Sequence, residues 1–244
     1  MARSLSDPPT GRRLPSPPVP DDDAPRPHPA SEPRVRIVLL AGPSGSGKSH
    51  LAARTGIPTL CLDDFYRDGD EPALPTDAEG RVDWDDVRAW DAGRAMAALQ
   101  ALASEGHAEL PRYDISRDRT VGSHHLDVGT SPIVIAEGIF AAELIPPCRD
   151  AGLLADAVCL VHHPTRTFWR RLVRDLREGR KAPITLMRRG WALRRAEPDI
   201  VAHHLAMGAR PVTGHQAEAR LAHLAAHSAP APAVTEHPGR DAAA

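Results

Sequence analysis

The sequence predicts an α/β fold in which helices cover both faces of a mainly parallel central sheet. Short apolar runs alternate along the chain with longer stretches of helical periodicity. One of these runs leads directly into glycines and then into a helical pattern. Strands that alternate with helices form parallel sheets, because each return connection packs a helix against a face of the sheet. We therefore predict a three-layer α/β sandwich.

The apolar runs place the strands in order. They are predicted at Val35–Ala41, Ile57–Leu62, Ile133–Ala136 and Ala157–Val161. Helices are predicted directly after the first strand at SHLAARTG, and at Asp86–Ala103, Thr165–Glu178 and Thr185–Ala206. Ligands of such sheets bind beyond the carboxyl ends of the strands, so functional residues are expected there.

The two ends of the chain differ in composition from its middle. Residues 1–33 hold ten of the 25 prolines and the acidic run Asp21–Asp23. Such a segment buries too little apolar surface to offset its ordering entropy. We predict disordered tails at 1–33 and 228–244 around one domain at 34–227. A docking or regulatory use of the first tail is the alternative.

Composition argues against several classes of function. The net charge of −2 gives no basic field for a nucleic acid. The three cysteines lack the spacing of a disulfide framework or zinc site, and the paired histidines point in different directions. The sequence shows neither a long apolar run nor a signal-peptide pattern. We expect a cytoplasmic protein without nucleic-acid or membrane partners, and homo-oligomerisation stays open.

The strongest motif is GPSGSGKS at residues 42–49, which matches GxxxxGK[ST] in full. Its glycines let successive backbone N–H groups face phosphate oxygens, and the following helix directs its positive end at the same anion. Lys48 is predicted to reach the β- and γ-phosphates and Ser49 to ligate Mg²⁺. The predicted nucleotide-binding residues are Gly42, Ser44, Gly45, Ser46, Gly47, Lys48 and Ser49. The expected fold is thus that of a P-loop NTPase.

The motif alone does not define a reaction, because GTPases, transport ATPases, helicases and small-molecule kinases share it. The chain has neither the NKxD pattern of a guanine reader nor the LSGGQ pattern of a transport ATPase. A small chain with long arginine-bearing helices favours a kinase.

Carboxylates follow two of the predicted strands. Asp63 and Asp64 come after the second strand, and Glu137 ends the run Ile133–Ala136. A carboxylate that faces the phosphate loop can accept a hydroxyl proton or help to hold Mg²⁺. The same residue types are common in turns and helix caps, so both interpretations stay open.

The order of the motifs is also informative. GPSGSGKS is followed by DDFY (63–66), WDDVRAWD (84–91), PRYD (111–114), AEGIF (136–140) and RRLVRDLREGRK (170–181). In this order the chain resembles the uridine kinase and phosphoribulokinase-like family of P-loop kinases, over roughly residues 35 to 181. The resemblance implies an enzyme that uses ATP and Mg²⁺ on a small hydroxyl-bearing acceptor. It also implies an acceptor-binding insertion at about 66–125 and a kinase-type lid at about 170–181.

The resemblance assigns roles on the acceptor side. Asp63 matches the family's catalytic base, and Glu137 matches the acidic residue near Mg²⁺. Asp63 would also help to orient the Mg²⁺ ion. Asp85 matches an aspartate that binds the ribose hydroxyls, and Tyr113 an aromatic residue that packs against the acceptor base. Arg119 is also expected to contact the acceptor. The alternatives are a helix cap for Asp85, a role that Asp86 could fill instead, and an ordinary half-buried tyrosine for Tyr113.

The resemblance places the lid in the arginine-rich run at 170–181. Arg171 and Arg174 match residues that neutralise the transferring phosphate, and Arg180 matches a nucleotide contact. The alternative is a solvated helix face whose arginines pair with neighbouring acidic residues.

Three departures from the family pattern affect the acceptor's identity. The stretch after Tyr113 is about one residue shorter than in pyrimidine kinases, with Arg117 and Asp118 near the place of a base-reading histidine. The lid is shortened at residues 177–180, and the closing strand is missing, with Met207–Pro211 in its place. We expect uridine, cytidine or a related ribosyl or polyol metabolite as acceptor. The rival hypotheses are an ATP-binding regulator and an assembly ATPase without such an acceptor.

Overall fold

A computed structural model describes residues 33–161 and 198–228 of the 244-residue chain. Its strands are β1 (Arg36–Ala41), β2 (Thr59–Cys61), β3 (His107–Asp114), β4 (Arg119–Asp127), β5 (Ile133–Glu137), β6 (Leu154–Leu160) and β7 (Arg210–Val212). Its helices are α1 (Lys48–Thr55), α2 (Ala92–Glu105), α3 (Ile145–Asp150) and α4 (Gly214–His227). Short 3₁₀ helices lie at Leu62–Phe65, Val87–Ala89 and Ala141–Leu144, and residues 198–206 are helical. The predicted lid at 170–181, the predicted helix at 165–178 and nearly all of both tails lie outside the described residues.

Five parallel strands form the central sheet in the order β2-β5-β1-β6-β7. Side chains of β1 alternate between two apolar layers, with Ile37 and Leu39 in one and Val38 and Leu40 in the other. A strand that is buried on both faces is the mark of a parallel sheet between two helical layers. The predicted three-layer fold is thereby confirmed.

The strand order creates a switch point at the end of β1. The chain leaves β1 through α1 and passes over β5 to reach β2, whereas β6 lies on the other side of β1. Connections that diverge in this way leave a crevice at the carboxyl ends of the central strands. The GPSGSGKS loop lies in that position.

The predicted helix at Asp86–Ala103 is wrong in its first turn and a half. A 3₁₀ helix covers Val87–Ala89, and α2 begins only after Asp91, whose side chain accepts a hydrogen bond from the backbone N–H of Arg94. Trp90 between them is extended and 3% exposed, and its indole Nε1 donates to the Leu62 carbonyl at 2.7 Å. The buried indole and its hydrogen bond fix this break in the helix.

Two further differences concern strands. The antiparallel pair β3–β4 was not predicted, and it runs from His107↔Asp127 to Asp114↔Arg119 inside the predicted insertion. The prediction that the closing strand is missing is wrong, because β7 pairs with β6 in parallel from Val158↔Arg210 to Leu160↔Val212. The strand is three residues long and contains Pro211, which is tolerated because β7 is an edge strand.

A buried carboxylate attaches the C-terminal elements to the sheet. Asp156 of β6 has a side chain that is 4% exposed. It accepts hydrogen bonds from Arg220 of α4 at 2.8 and 2.7 Å and from Arg210 of β7 at 3.3 Å. Burial of a carboxylate is tolerated only with such partners.

In the described part of the chain, no helix is long and apolar enough to cross a membrane.

We expect Asp156→Ala to lower the free energy of unfolding by roughly 1.5–3 kcal/mol, because the charge-assisted hydrogen bonds from two arginines are lost while the arginines themselves, 65% and 38% exposed, stay solvated. The control is Glu218→Ala, which removes the more exposed ion pair with Arg54 and should cost about 1 kcal/mol or less. Urea denaturation of both variants measures the difference. Equal losses would show that Asp156 does not fix the C-terminal elements.

Candidate functional site

The loop between β1 and α1 curls tightly against the end of β6. Gly42, Gly45 and Gly47 have φ angles of 141°, 78° and 93°, which favour glycine. A Cβ atom on Gly42 would lie 2.9 Å from the carbonyl oxygen of Leu160. The curl therefore depends on glycine both for its backbone conformation and for its approach to the neighbouring strand.

Lys48 lies inside the curl of the loop. Its side chain donates hydrogen bonds from Nζ to the carbonyls of Gly42 at 2.8 Å and Pro43 at 3.3 Å, and the residue is only 7% exposed. Ser46 is fully buried, and its Oγ has no hydrogen-bond partner within residues 33–161 and 198–228. A positive charge and an unpartnered hydroxyl in one tight glycine-rich loop form a site that an anion can complete.

Glu137, at the end of β5, meets the first turn of α1. It is 4% exposed, and a side-chain hydrogen bond links it to Ser49. Burial raises the pKa of Glu137, while the charge of Lys48 and the Ser49 hydrogen bond lower it, and the charges of Asp63 and Asp64 raise it further. The structure therefore brings Ser49, Glu137 and Lys48 to one place.

Asp63 approaches the same place through its contact with Gly138. A Cβ atom on Gly138 would lie 3.1 Å from Oδ1 of Asp63 and 2.8 Å from Cβ of Leu62. The 3₁₀ helix after β2 can therefore pack on the end of β5 only because residue 138 is glycine. The Glu-Gly pair in AEGIF is the sequence signal for this packing, which our interpretation of the motif missed.

The donor set at this edge fits Mg²⁺. Mg²⁺ is bound through one or two protein oxygens together with phosphate oxygens and water, rather than by an all-protein cage. The oxygens of Ser49 and Glu137 are hydrogen-bonded to each other, and the Asp63 carboxylate adjoins Gly138. Among the described residues, no group of three or more His, Cys, Asp or Glu side chains could hold a metal by itself.

Asp64 differs from Asp63 in its partners. Its Oδ1 accepts a hydrogen bond from the backbone N–H of Tyr113 at 3.0 Å, and burial raises its pKa. Farther along, Asp68 accepts from the N–H of Thr120 at 2.7 Å. Through these two hydrogen bonds, Asp64 and Asp68 fix the β3–β4 hairpin beside the site.

Tyr113 belongs to an aromatic cluster next to these carboxylates. Its ring centroid lies 5.7 Å from that of Tyr66 and 6.3 Å from that of Trp84, and Phe140 lies 6.0 Å from Tyr66. The Tyr113 hydroxyl donates to the Arg67 carbonyl at 3.2 Å, and burial raises its pKa. Sequence reasoning singled out Tyr113 alone, although the other rings stand in the motifs DDFY, WDDV and AEGIF.

The remaining predicted acceptor residues are more exposed. Asp85 does not cap a helix, because Asp86 fills that role by accepting from the N–H of Arg88 at 2.8 Å. Asp85 follows Trp84 of the aromatic cluster and is exposed. Arg119 forms an ion pair with Asp70 at 3.1 Å on the surface. The predicted lid residues Arg171, Arg174 and Arg180 lie outside the described residues, so their roles stay predictions.

Fold and loop together define a P-loop NTPase domain. No family model matches the sequence. Uridine kinases of Lactobacillus helveticus (strain DPC 4571) and Schizosaccharomyces pombe (strain 972 / ATCC 24843) are 28% and 30% identical to the chain over 152 and 155 residues. These matches cover 58% and 59% of this chain and 68% and 32% of those proteins. Inorganic pyrophosphatase TTM2 of Arabidopsis thaliana is 31% identical over 124 residues, which are 48% of this chain and 17% of that protein.

The two uridine kinases confirm the predicted resemblance. The chain is similar to these two uridine kinases over a little more than half of its own length. It spans less than a fifth of the plant pyrophosphatase and about a third of the fungal uridine kinase.

The raised pKa of Glu137 predicts how stability depends on pH. The folded protein holds a proton on Glu137 at pH values where the unfolded chain has released it, so stability falls as pH rises through that window and stays lowered at neutral pH. We expect Glu137→Gln to remove this penalty and raise Tm at pH 7 by about 2–4 °C, or about 1 kcal/mol.

Thermal denaturation between pH 4 and 8 measures the effect, with Glu79→Gln as a surface control (67% exposed). The gain should disappear at pH values below the ordinary glutamate pKa of 4.5. A loss of stability in Glu137→Gln at pH 7 would show that the contacts with Lys48 and Ser49 outweigh the cost of burial.

Proposed function

We propose that the protein is a kinase that transfers the γ-phosphate of ATP to a hydroxyl of a small metabolite. The acceptor is a nucleoside such as uridine or cytidine, or a related ribosyl or polyol compound. The observation that supports this most strongly is the packing of Asp63 on Gly138, which sets a carboxylate beside Glu137 and the phosphate loop. An ATP-binding regulator would not need a second carboxylate there.

The loop and its lysine would hold the phosphates. Lys48 forms hydrogen bonds with the loop's own carbonyls, and a bound phosphate would give its Nζ a negatively charged partner instead. Ser49 and Glu137 would hold Mg²⁺, which offsets the phosphates' charge when bound. The positive φ angles of the loop glycines would let backbone N–H groups turn towards the same anion.

Asp63 would act as the general base. The acceptor's O–H proton moves to the Asp63 carboxylate while the oxygen attacks the γ-phosphorus, and the bond to the β-phosphate oxygen breaks to release ADP. Asp64 is a poor substitute, because its Oδ1 accepts a hydrogen bond from the N–H of Tyr113. The two adjacent aspartates therefore have different functions.

The aromatic cluster would form one wall of the acceptor site. Tyr113 would offer its ring, since its hydroxyl already donates to the Arg67 carbonyl. Asp85 would accept hydrogen bonds from a vicinal diol, which a carboxylate can do with both oxygens. Arg119 could contact the acceptor only by giving up its ion pair with Asp70.

Two further elements complete the proposal outside the described residues. Arg171 and Arg174 of the lid would stabilise the charge on the transferring phosphate, and Arg180 would contact the nucleotide. Closure of the lid at 170–181 would exclude water and so limit futile hydrolysis of ATP.

We expect one acceptor to raise ADP release well above background when the protein is supplied with ATP and Mg²⁺. The panel comprises uridine, cytidine, other nucleosides, ribulose 5-phosphate, pantothenate and glycerate, with phosphate release from pyrophosphate as a separate arm. Asp63→Ala should lower kcat about 10²- to 10⁴-fold because the base is lost. Lys48→Ala should also abolish turnover, and Glu79→Gln should match the unchanged protein.

Full activity of Asp63→Ala would show that another group is the base. ATP binding without phosphorylation of any acceptor would favour the regulator, and hydrolysis stimulated only by a protein partner would favour the assembly ATPase. Pyrophosphate hydrolysis that needs Lys48 would move the activity towards that named for the plant relative.

We expect Asp85→Asn to raise the KM for the acceptor about 10-fold or more while the KM for ATP stays unchanged, because one charged hydrogen-bond acceptor is lost. Initial rates measured against each substrate in turn test this, with Glu79→Gln in the same insertion as the charge-matched control. Equal changes in both KM values would place Asp85 in folding rather than in acceptor binding.

A further inference from the structure

The helical segment at 198–206 has an unusual buried residue. His204 is 3% exposed and is the one residue of that segment that is buried. An apolar side chain would fill such a position without leaving ring nitrogens that need partners. The nitrogens of the buried imidazole therefore require hydrogen-bond partners inside the protein.

The imidazole of His204 has two partners close to the phosphate loop. Nδ1 lies 3.6 Å from Sγ of Cys159. The ring also forms a hydrogen bond with the backbone of Ile139, and this bond raises the pKa of His204, as donation from the ring to a carbonyl oxygen does. Burial lowers the pKa of His204 to about 4, and the charge of Lys48 acts in the same direction. The ring is therefore neutral at pH 7, with one donor and one acceptor nitrogen.

These two partners lie on the strands that carry the site. Cys159 pairs with Ala41, the residue before Gly42 of the loop. Ile139 follows Gly138, the glycine against which the Asp63 carboxylate packs, and stands two residues after Glu137. One imidazole thus connects the end of β6 to the turn after β5.

We infer that His204 is a positioning residue for the Mg²⁺–nucleotide site. Its imidazole holds the Gly138–Ile139 turn, and through that turn it fixes the carboxylates of Glu137 and Asp63. This inference rests on the proposed nucleotide site but not on the identity of the acceptor. Outer partners of this kind commonly change metal affinity about 10- to 100-fold when they are removed.

The neighbouring histidine supplies a matched control. His203 lies on the same segment, and its Nε2 contacts Oε1 of Glu143 at 2.5 Å. His203 is exposed, so its loss would weaken attachment of the segment without touching Ile139 or Cys159. A general effect of detaching the helix should therefore appear in variants of both histidines, and a positioning effect in variants of His204 alone.

The test titrates a fluorescent ADP derivative into the full chain with and without Mg²⁺. In His204→Leu we expect the Mg²⁺-dependent gain in affinity to fall about 10-fold, with Mg²⁺-free affinity unchanged. His204→Gln keeps an amide N–H donor for the Ile139 carbonyl and should restore the gain to within about 3-fold, while His203→Gln should keep it in full. If His204→Leu does not fold, His204→Asn, which is too short to reach Ile139, takes its place.

An unchanged Mg²⁺-dependent gain in affinity in His204→Leu would overturn the inference. It would also be overturned if His203→Gln lost as much of that gain as His204→Leu, or if His204→Gln did not restore the gain. The measurement needs no acceptor and no turnover. Failure of every acceptor to be phosphorylated would contradict the kinase proposal while leaving the positioning result intact.

Discussion

The parallel registration of β1 with β5 and β6 is the constraint on which the rest depends. Leu40 pairs with Glu137, and Ala41 pairs with Cys159, so three strands end at one level. Because the strands end together, the phosphate loop, the Glu137 carboxylate and the Cys159 thiol that contacts His204 all lie at the same edge of the sheet. A slip of one residue in either pairing would turn those side chains to the opposite face of the sheet. The sheet is thus the rigid element that positions the site.

The site concentrates charge at a cost to stability. Glu137 is buried and faces the negative charges of Asp63 and Asp64, and only Lys48 and Ser49 oppose the resulting rise of its pKa. Strain and unfavourable charge of this kind are common at functional sites, because a ligand supplies the compensation. The orphan hydroxyl of Ser46 fits the same account. The buried carboxylate of Asp156, by contrast, has ion pairs with two arginines.

Much of this arrangement could be predicted from the sequence, and the failures have physical causes. The loop and the ends of β1 and β5 were predictable because buried parallel strands are continuous apolar runs. The β3–β4 hairpin was missed because β4 is largely exposed on both faces and carries no apolar alternation. β7 was missed because Pro211 argues against a strand and only its edge position permits it. Contacts between distant segments, such as His204 with Ile139, leave no local pattern at all.

The position of β7 also affects synthesis of the chain. The partner of β6 is encoded about 50 residues after Leu160, which takes a ribosome several seconds at roughly 5–20 residues per second. Until β7 has been made, this edge of β6 lacks the strand partner that it has in the folded domain, and an open strand edge can pair with other chains. The last strand therefore covers the edge of β6 as well as completing the sheet.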